Sequence, residues 1–173
     1  MRPLVVVFGL SGSGKSFLSR LLHEEFGYEW LRSDVIRKEL MGLSPEEEAR
    51  APFGEGIYRE EITKRVYEEL VRRARNLLEE GKRVVMDATF LKSWQRKLVK
   101  DSFEDVLFLL ATASEGEIKR RLSRRKDVSD ADFGVYLKQK EFFEYPEDVD
   151  FVEVNTEKSR EELLSVLKNL VED

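Results

Sequence analysis

Short apolar runs alternate along this chain with longer stretches in which apolar residues return every three or four positions. Leu4-Val5-Val6-Val7-Phe8, Tyr28-Glu29-Trp30-Leu31, Arg83-Val84-Val85-Met86, Val106-Leu107-Phe108-Leu109-Leu110 and Phe151-Val152-Glu153-Val154 predict five strands. Between them the helical period predicts helices over Phe17 to Leu22, Val35 to Met41, from about Tyr58 to a stop at Gly81, and over Trp94 to Val99. Phe26-Gly27 supplies a further stop. Ser114-x-x-Glu117 caps a helix through Ile118 and Leu122, Ser129-x-x-Asp132 opens one toward Phe143, and Ser159-x-x-Glu162 begins a last one carrying Leu163, Leu167 and Leu170. Ser44-Pro45-Glu46-Glu47 offers an N-cap, and the irregular stretch Ala51 to Gly56 is a candidate substrate-covering loop. This alternation predicts an α/β fold: a five-stranded parallel sheet with helices on both faces in three layers, α/β/α. Ligands of such sheets bind beyond the carboxyl ends of the strands.

Composition narrows the chemistry. The 173 residues suit one compact domain spanning 1–173. Cysteine is absent and His23 is the one histidine, which excludes disulfides, a Cys/His zinc site and a cysteine nucleophile. His23 sits in a helix among Leu21, Leu22, Glu24 and Glu25, as a solvated residue would. No run is long and apolar enough to span a bilayer and the chain opens directly on a strand, so a soluble cytoplasmic protein with no membrane partner is expected. A formal net charge of −5 disfavours a nucleic acid as an obligatory partner.

The chemistry begins where the first strand ends. Gly9-Leu10-Ser11-Gly12-Ser13-Gly14-Lys15-Ser16 fits Gly-x-x-x-x-Gly-Lys-Ser, set between a strand and a helix as the phosphate-binding P-loop requires. Backbone amides from Gly9 through Ser11, Gly12, Ser13 and Gly14 to Phe17 are expected to cradle phosphates at the positive end of the helix. Lys15 is expected to reach the β- and γ-phosphates of ATP, and the Ser16 hydroxyl to ligate Mg²⁺.

Other strand ends carry carboxylates. Asp34 follows the second strand, facing the crevice where a base for an acceptor hydroxyl is needed, and Arg37 stands one helical turn on. Asp87 ends the third strand in the manner of a Walker B carboxylate, to hold Mg²⁺ directly or through water, or else to cap the turn. Arg96 is a weaker candidate for a substrate contact. Lys119, Arg120, Arg121, Arg124, Arg125 and Lys126 form a basic run that is either a solvated face or the start of a lid over about 121–132, from which Arg121 and Arg125 would reach the triphosphate. Asn155 and Thr156, after the fifth strand, are candidates for packing the base. Asp132-Phe133-Gly134 repeats the protein-kinase metal triplet, but the His-Arg-Asp loop of that fold is missing.

With Gly9 to Ser16, Ser33-Asp34-Val35-Ile36-Arg37-Lys38, Val85-Met86-Asp87-Ala88-Thr89-Phe90 and Val128-Ser129-Asp130-Ala131 in place, the chain resembles the P-loop kinases that include the kinase domain of phage polynucleotide kinase, gluconate kinase, chloramphenicol phosphotransferase and zeta toxins. It is most similar to predicted kinases that occur alone or fused to aminoglycoside-phosphotransferase-like domains. The resemblance implies a P-loop NTPase fold, nucleoside-kinase-like with a lid, and an ATP- and Mg²⁺-dependent transfer of phosphoryl to a small-molecule hydroxyl. It carries the polynucleotide kinase Asp-x-x-Arg pair onto Asp34 and Arg37, as base and phosphoryl contact, and a lid arginine onto the segment from Arg121 to Arg125. Ser33 stands where polynucleotide kinase has an arginine, so a 5′-hydroxyl polynucleotide or nucleotide sugar is the alternative acceptor. A nucleotide-dependent switch is a third reading; neither Asn-Lys-x-Asp nor the GTPase Asp-x-x-Gly is present.

Overall fold

The computed structural model describes residues 1–43, 54, 56–124 and 130–172. Its elements follow the predicted alternation: β1 (Leu4–Phe8), α1 (Lys15–Phe26), β2 (Glu29–Arg32), α2 (Ser33–Leu40), a 3₁₀ turn (Gly56–Tyr58), α3 (Glu60–Glu79), β3 (Val84–Asp87), α4 (Ser93–Ser102), β4 (Val106–Thr112), α5 (Glu115–Ser123), α6 (Asp130–Phe142), β5 (Phe151–Asn155) and α7 (Arg160–Glu172). The five strands are all parallel, in the order β2-β3-β1-β4-β5. The caps expected at Ser44 and Ser129 lie outside the described residues, as does the loop 51–56 apart from Gly54 and Gly56.

The central strand is apolar at every position because both of its faces are covered. Leu4, Val6 and Phe8 turn to one side, where they join Val84, Met86, Phe108 and Leu110 beneath α2, α3 and α4. Val5 and Val7 turn to the other, with Val85, Leu107 and Leu109, beneath α1 and α7. Phe8 anchors the first layer, its ring set edge-on to Phe90, Phe108 and Phe151. The glycine stops fall where the sequence puts them: Gly27 returns its N–H to Leu22, and Gly81 to Leu78.

Two local differences matter for the site. Arg32 is extended and α2 starts at Ser33, so β2 enters the helix without a loop and Asp34 stands in the first helical turn. On α3 the buried stripe is wider than the predicted face, since Tyr67 and Val71 are covered as well as Ile62, Val66, Leu70 and Ala74. Arg96 is not a substrate contact. It is wholly buried, with Nη1 donating to the Phe90 carbonyl at 2.7 Å, and Nη2 to the Glu144 carbonyl at 2.7 Å and to Asp148 at 3.0 Å. A buried guanidinium is tolerable only when its fork is filled in this way, and here it fastens the segment after α6 to the loop after β3.

Candidate functional site

The loop between β1 and α1 is held from several sides. Its first amide, Gly9 N–H, donates to the Thr89 carbonyl at 3.4 Å, and Ser13 N–H donates back to the Leu10 carbonyl at 3.1 Å. Gly14 caps α1 with φ of 100°, and a Cβ there would lie 2.6 Å from the Thr156 hydroxyl. Only glycine meets both conditions. Lys15 folds over the loop and donates from Nζ to the Leu10 carbonyl at 3.2 Å, while Ser16 and Phe17 are exposed at the helix start. The N–H groups of that first turn point back along the helix axis, and with the helix dipole they form an anion site.

Beneath the loop, Thr156 occupies a place the sequence did not announce. It is buried, with its hydroxyl oxygen 2.6 Å from the Ser13 carbonyl and 3.0 Å from the Thr112 carbonyl. Arg121 closes the same cluster from α5, donating from Nη1 to the Gly12 carbonyl at 3.0 Å and to the Thr156 hydroxyl at 2.9 Å, and from Nη2 to the Thr156 carbonyl at 3.2 Å. Glu117 pairs with it at 3.2 Å. Arg121 thus ends on the phosphate loop itself. Arg125 lies outside the described residues.

On the other flank the ends of β2 and β3 stand next to β1, which brings Asp34 and Asp87 to the same carboxyl edge as the loop. Asp87 is buried and accepts from Trp30 Nε1 at 3.1 Å. Burial pushes its carboxyl above the ordinary value near 3.8, opposed by the charge of Lys15, the Trp30 bond, Arg32 and the neighbouring Ser19 hydroxyl. Ser19 is itself fully buried on α1, and its hydroxyl finds no hydrogen-bond partner of ordinary geometry among the described residues. A carboxylate held dry at the strand end next to α1, which carries an exposed hydroxyl at Ser16, is a donor set that fits a small divalent ion. Among the described residues no group of three or more acidic or histidine side chains is placed to hold a metal ion, so such an ion would take most of its ligands from phosphate and water.

The raised carboxyl of Asp87 has a consequence for stability. The folded chain binds the proton more tightly than the unfolded chain, so stability falls as pH rises from the unfolded value toward the folded one. Asp87→Asn removes that loss. Urea midpoints measured without added metal are expected to be higher for Asp87→Asn than for the parent at pH 7.5, and to converge only well below the ordinary value near 3.8, where the carboxyl is protonated in both states. An equal or lower midpoint at pH 7.5 contradicts the burial argument.

Asp34 is exposed at the start of α2, and Arg37, one turn on, is buried. Arg37 donates from Nη1 to the Thr63 hydroxyl at 2.8 Å and lies over the Tyr58 ring, 4.8 Å from its centre. Tyr67 completes this flank. Its hydroxyl accepts from Phe90 N–H at 3.0 Å, and Phe90 is the one non-glycine residue with positive φ, 45°, among the described residues. Burial raises the Tyr67 phenol, opposed by hydrogen bonds with Thr89 and Phe90 and by the Arg37 charge, while Asp34 adds to the rise. The loop after β3 is therefore fixed by a phenol from α3. No motif in the sequence pointed to Tyr67 or Thr63, and none pointed to Thr156 as a brace.

Known proteins match this arrangement. A family model described as an AAA domain matches residues 4–146. An uncharacterized protein of Mycobacterium tuberculosis is 27% identical over 126 residues, which is 70% of this chain and 25% of that protein. The chain thus spans about a quarter of the length of the curated relatives it matches. Among solved structures, a sugar kinase from a Janibacter species superposes with a TM-score of 0.74 at 18% identity, over 99% of this chain and 95% of the other. The APS kinase of Mycobacterium tuberculosis, solved with AMPPNP and APS, superposes with a TM-score of 0.70 at 20% identity, over 99% of each chain. These likenesses establish the fold, a three-layer α/β/α sandwich on a five-stranded parallel sheet.

Proposed function

The chain belongs to the AAA-domain family, and from that premise we propose that it is an ATP-dependent kinase, which moves the γ-phosphoryl group to a hydroxyl of a small molecule. The observation that carries this reading is the order β2-β3-β1, which sets Asp34, Asp87 and the loop of Gly9 to Ser16 on three adjacent strand ends. The fold shared with the sugar kinase and APS kinase supports it.

In the reaction, amides of the first turn of α1 and Lys15 hold the β- and γ-phosphates, since the Gly9, Ser11 and Ser13 amides expected to do so are spent on Thr89, Gln139 and Leu10. Asp34 accepts the proton of the acceptor hydroxyl as its oxygen approaches the γ-phosphorus. The bond from that phosphorus to the bridging oxygen breaks, and ADP leaves with the electron pair. Ser16 and Asp87 would hold Mg²⁺, which when bound neutralises charge on the β- and γ-oxygens. Arg37, fixed by Thr63 and Tyr58, positions the acceptor side. Arg121 adds positive charge from α5 beneath the loop, where it is held by the Gly12 and Thr156 carbonyls and the Thr156 hydroxyl. The partly exposed rings of Tyr58 and Trp94, which flank Arg37 and Tyr67, offer flat surfaces to an acceptor with an apolar face.

The test is ATP consumption with Mg²⁺ against a panel of sugars, nucleosides, aminoglycosides and a 5′-hydroxyl oligonucleotide, with Lys15→Ala as blank. The expected result is a sugar or other small hydroxyl compound that raises consumption above the blank and is recovered as its phosphate. Transfer to the oligonucleotide alone would replace the small-molecule reading by the nucleic-acid one. Tight ATP binding that alters the capture of a protein partner, with nothing phosphorylated, would favour a switch.

A further inference from the structure

Gln139 on α6 is more than nine-tenths buried and touches the phosphate loop: its Oε1 accepts from Ser11 N–H at 2.8 Å. The orientation of this carboxamide is fixed by chemistry, because an N–H can only donate and so must meet the oxygen. The bond crosses 128 residues and ties the loop to α6.

What the bond holds is one peptide unit with every polar atom in use. The Leu10 carbonyl accepts from Lys15 Nζ at 3.2 Å and from Ser13 N–H at 3.1 Å. The N–H on the other side of that peptide belongs to Ser11, and among the described residues Gln139 is its partner. We propose that Gln139 is a positioning residue for Lys15, acting through the Leu10–Ser11 peptide; this rests on the kinase reading of the loop. An ammonium has three donors, so Lys15 can keep one on the Leu10 carbonyl and turn two toward phosphate oxygens. The carbonyl is then the pivot from which the lysine reaches. Its direction is set by the peptide plane, and Gln139 stops that plane from rotating.

The helix bearing Gln139 is itself anchored. Tyr136, one turn earlier, packs with Ile118 and Leu122 of α5 and with Leu10 and Phe133, and Lys140 pairs with Glu115 at 3.2 Å.

The experiment is a double-mutant cycle on MgATP affinity, read with a fluorescent ATP analogue on the whole chain. Gln139→Met keeps the volume and removes the acceptor, and is expected to weaken binding about fivefold to tenfold, within the roughly twofold to thirteenfold range for one neutral hydrogen bond. In a Lys15→Ala background the same change is expected to alter affinity less than about twofold, because the group it positions is gone. Leu137→Ala, exposed on the same helix, is the control and should bind as the parent does. Unchanged affinity in Gln139→Met overturns the proposal, as does an undiminished loss on Lys15→Ala. Should Gln139→Met unfold, amide exchange in the parent decides: Ser11 N–H is expected to be protected without nucleotide, and free exchange overturns the bond. A parent that binds no MgATP at all brings down the kinase reading as well, which separates that failure from the narrower one.

Discussion

Gly14→Ala is expected to weaken MgATP binding by at least about a hundredfold, roughly 2.7 kcal/mol, and to lower the thermal midpoint. The two causes are independent. At φ of 100° an L-residue is strained, which costs about 1–2 kcal/mol. The new methyl would also lie 2.6 to 2.7 Å from the hydroxyl oxygen, Cβ and Cγ2 of Thr156. Thr156 has no room to retreat, since it is buried, bonded to the Ser13 and Thr112 carbonyls, and held from α5 by Arg121. Overpacking of this kind costs about 1–3 kcal/mol, and the chain relieves it by opening the loop that orders the phosphate amides. Calorimetry of MgATP binding measures the loss. Thr156→Gly placed on top of Gly14→Ala restores the space and leaves the strained φ, so partial recovery is the expected result. Binding equal to the parent in the single variant would show that the loop is not braced by Thr156.

That brace was not legible in the sequence, although the frame around it was. The five strands show because each is a short, mainly apolar run, and the helices because their apolar residues keep one face. Gly27 and Gly81 marked helix ends because the left-handed turn they adopt favours glycine. The P-loop was readable because all its determinants lie within eight consecutive residues. The contacts that stiffen it join distant positions: Thr156 meets Ser13 across 143 residues, and Gln139 meets Ser11 across 128. Both end on backbone atoms, which every residue carries, so no second side chain signals the pair.

Charge misled in a related way. Arg96 has the polar identity of a surface or substrate residue, yet its fork is consumed inside the protein by two carbonyls and Asp148. Arg121 belongs to a basic run in which Arg120 is solvated, yet it reaches the Gly12 carbonyl. Which member of a basic helix turns inward depends on the neighbour it packs against. Here Ile118 and Leu122 fix the buried stripe of α5, and Arg121 lies at its edge.

Asp34→Asn is expected to lower phosphoryl transfer to the panel acceptor by about a thousandfold, within the roughly 10²–10⁴ range of a general base, while MgATP affinity stays within about twofold of the parent. The substitution is nearly isosteric and Asp34 is exposed, so the fold loses little. An amide can still hold the acceptor by a hydrogen bond but cannot take its proton. Arg37→Met gives the contrast. Its guanidinium is held by Thr63 and Tyr58 beside the acceptor side, so the expected change falls on the acceptor KM as well as on kcat. The phosphoryl transition state is loose, with little bond formation to the attacking oxygen, so the demand for a base is not absolute. Near-parental turnover by Asp34→Asn, with MgATP binding intact, would mean that the proton leaves late and passes to a phosphate oxygen. Asp34 would then only aim the hydroxyl.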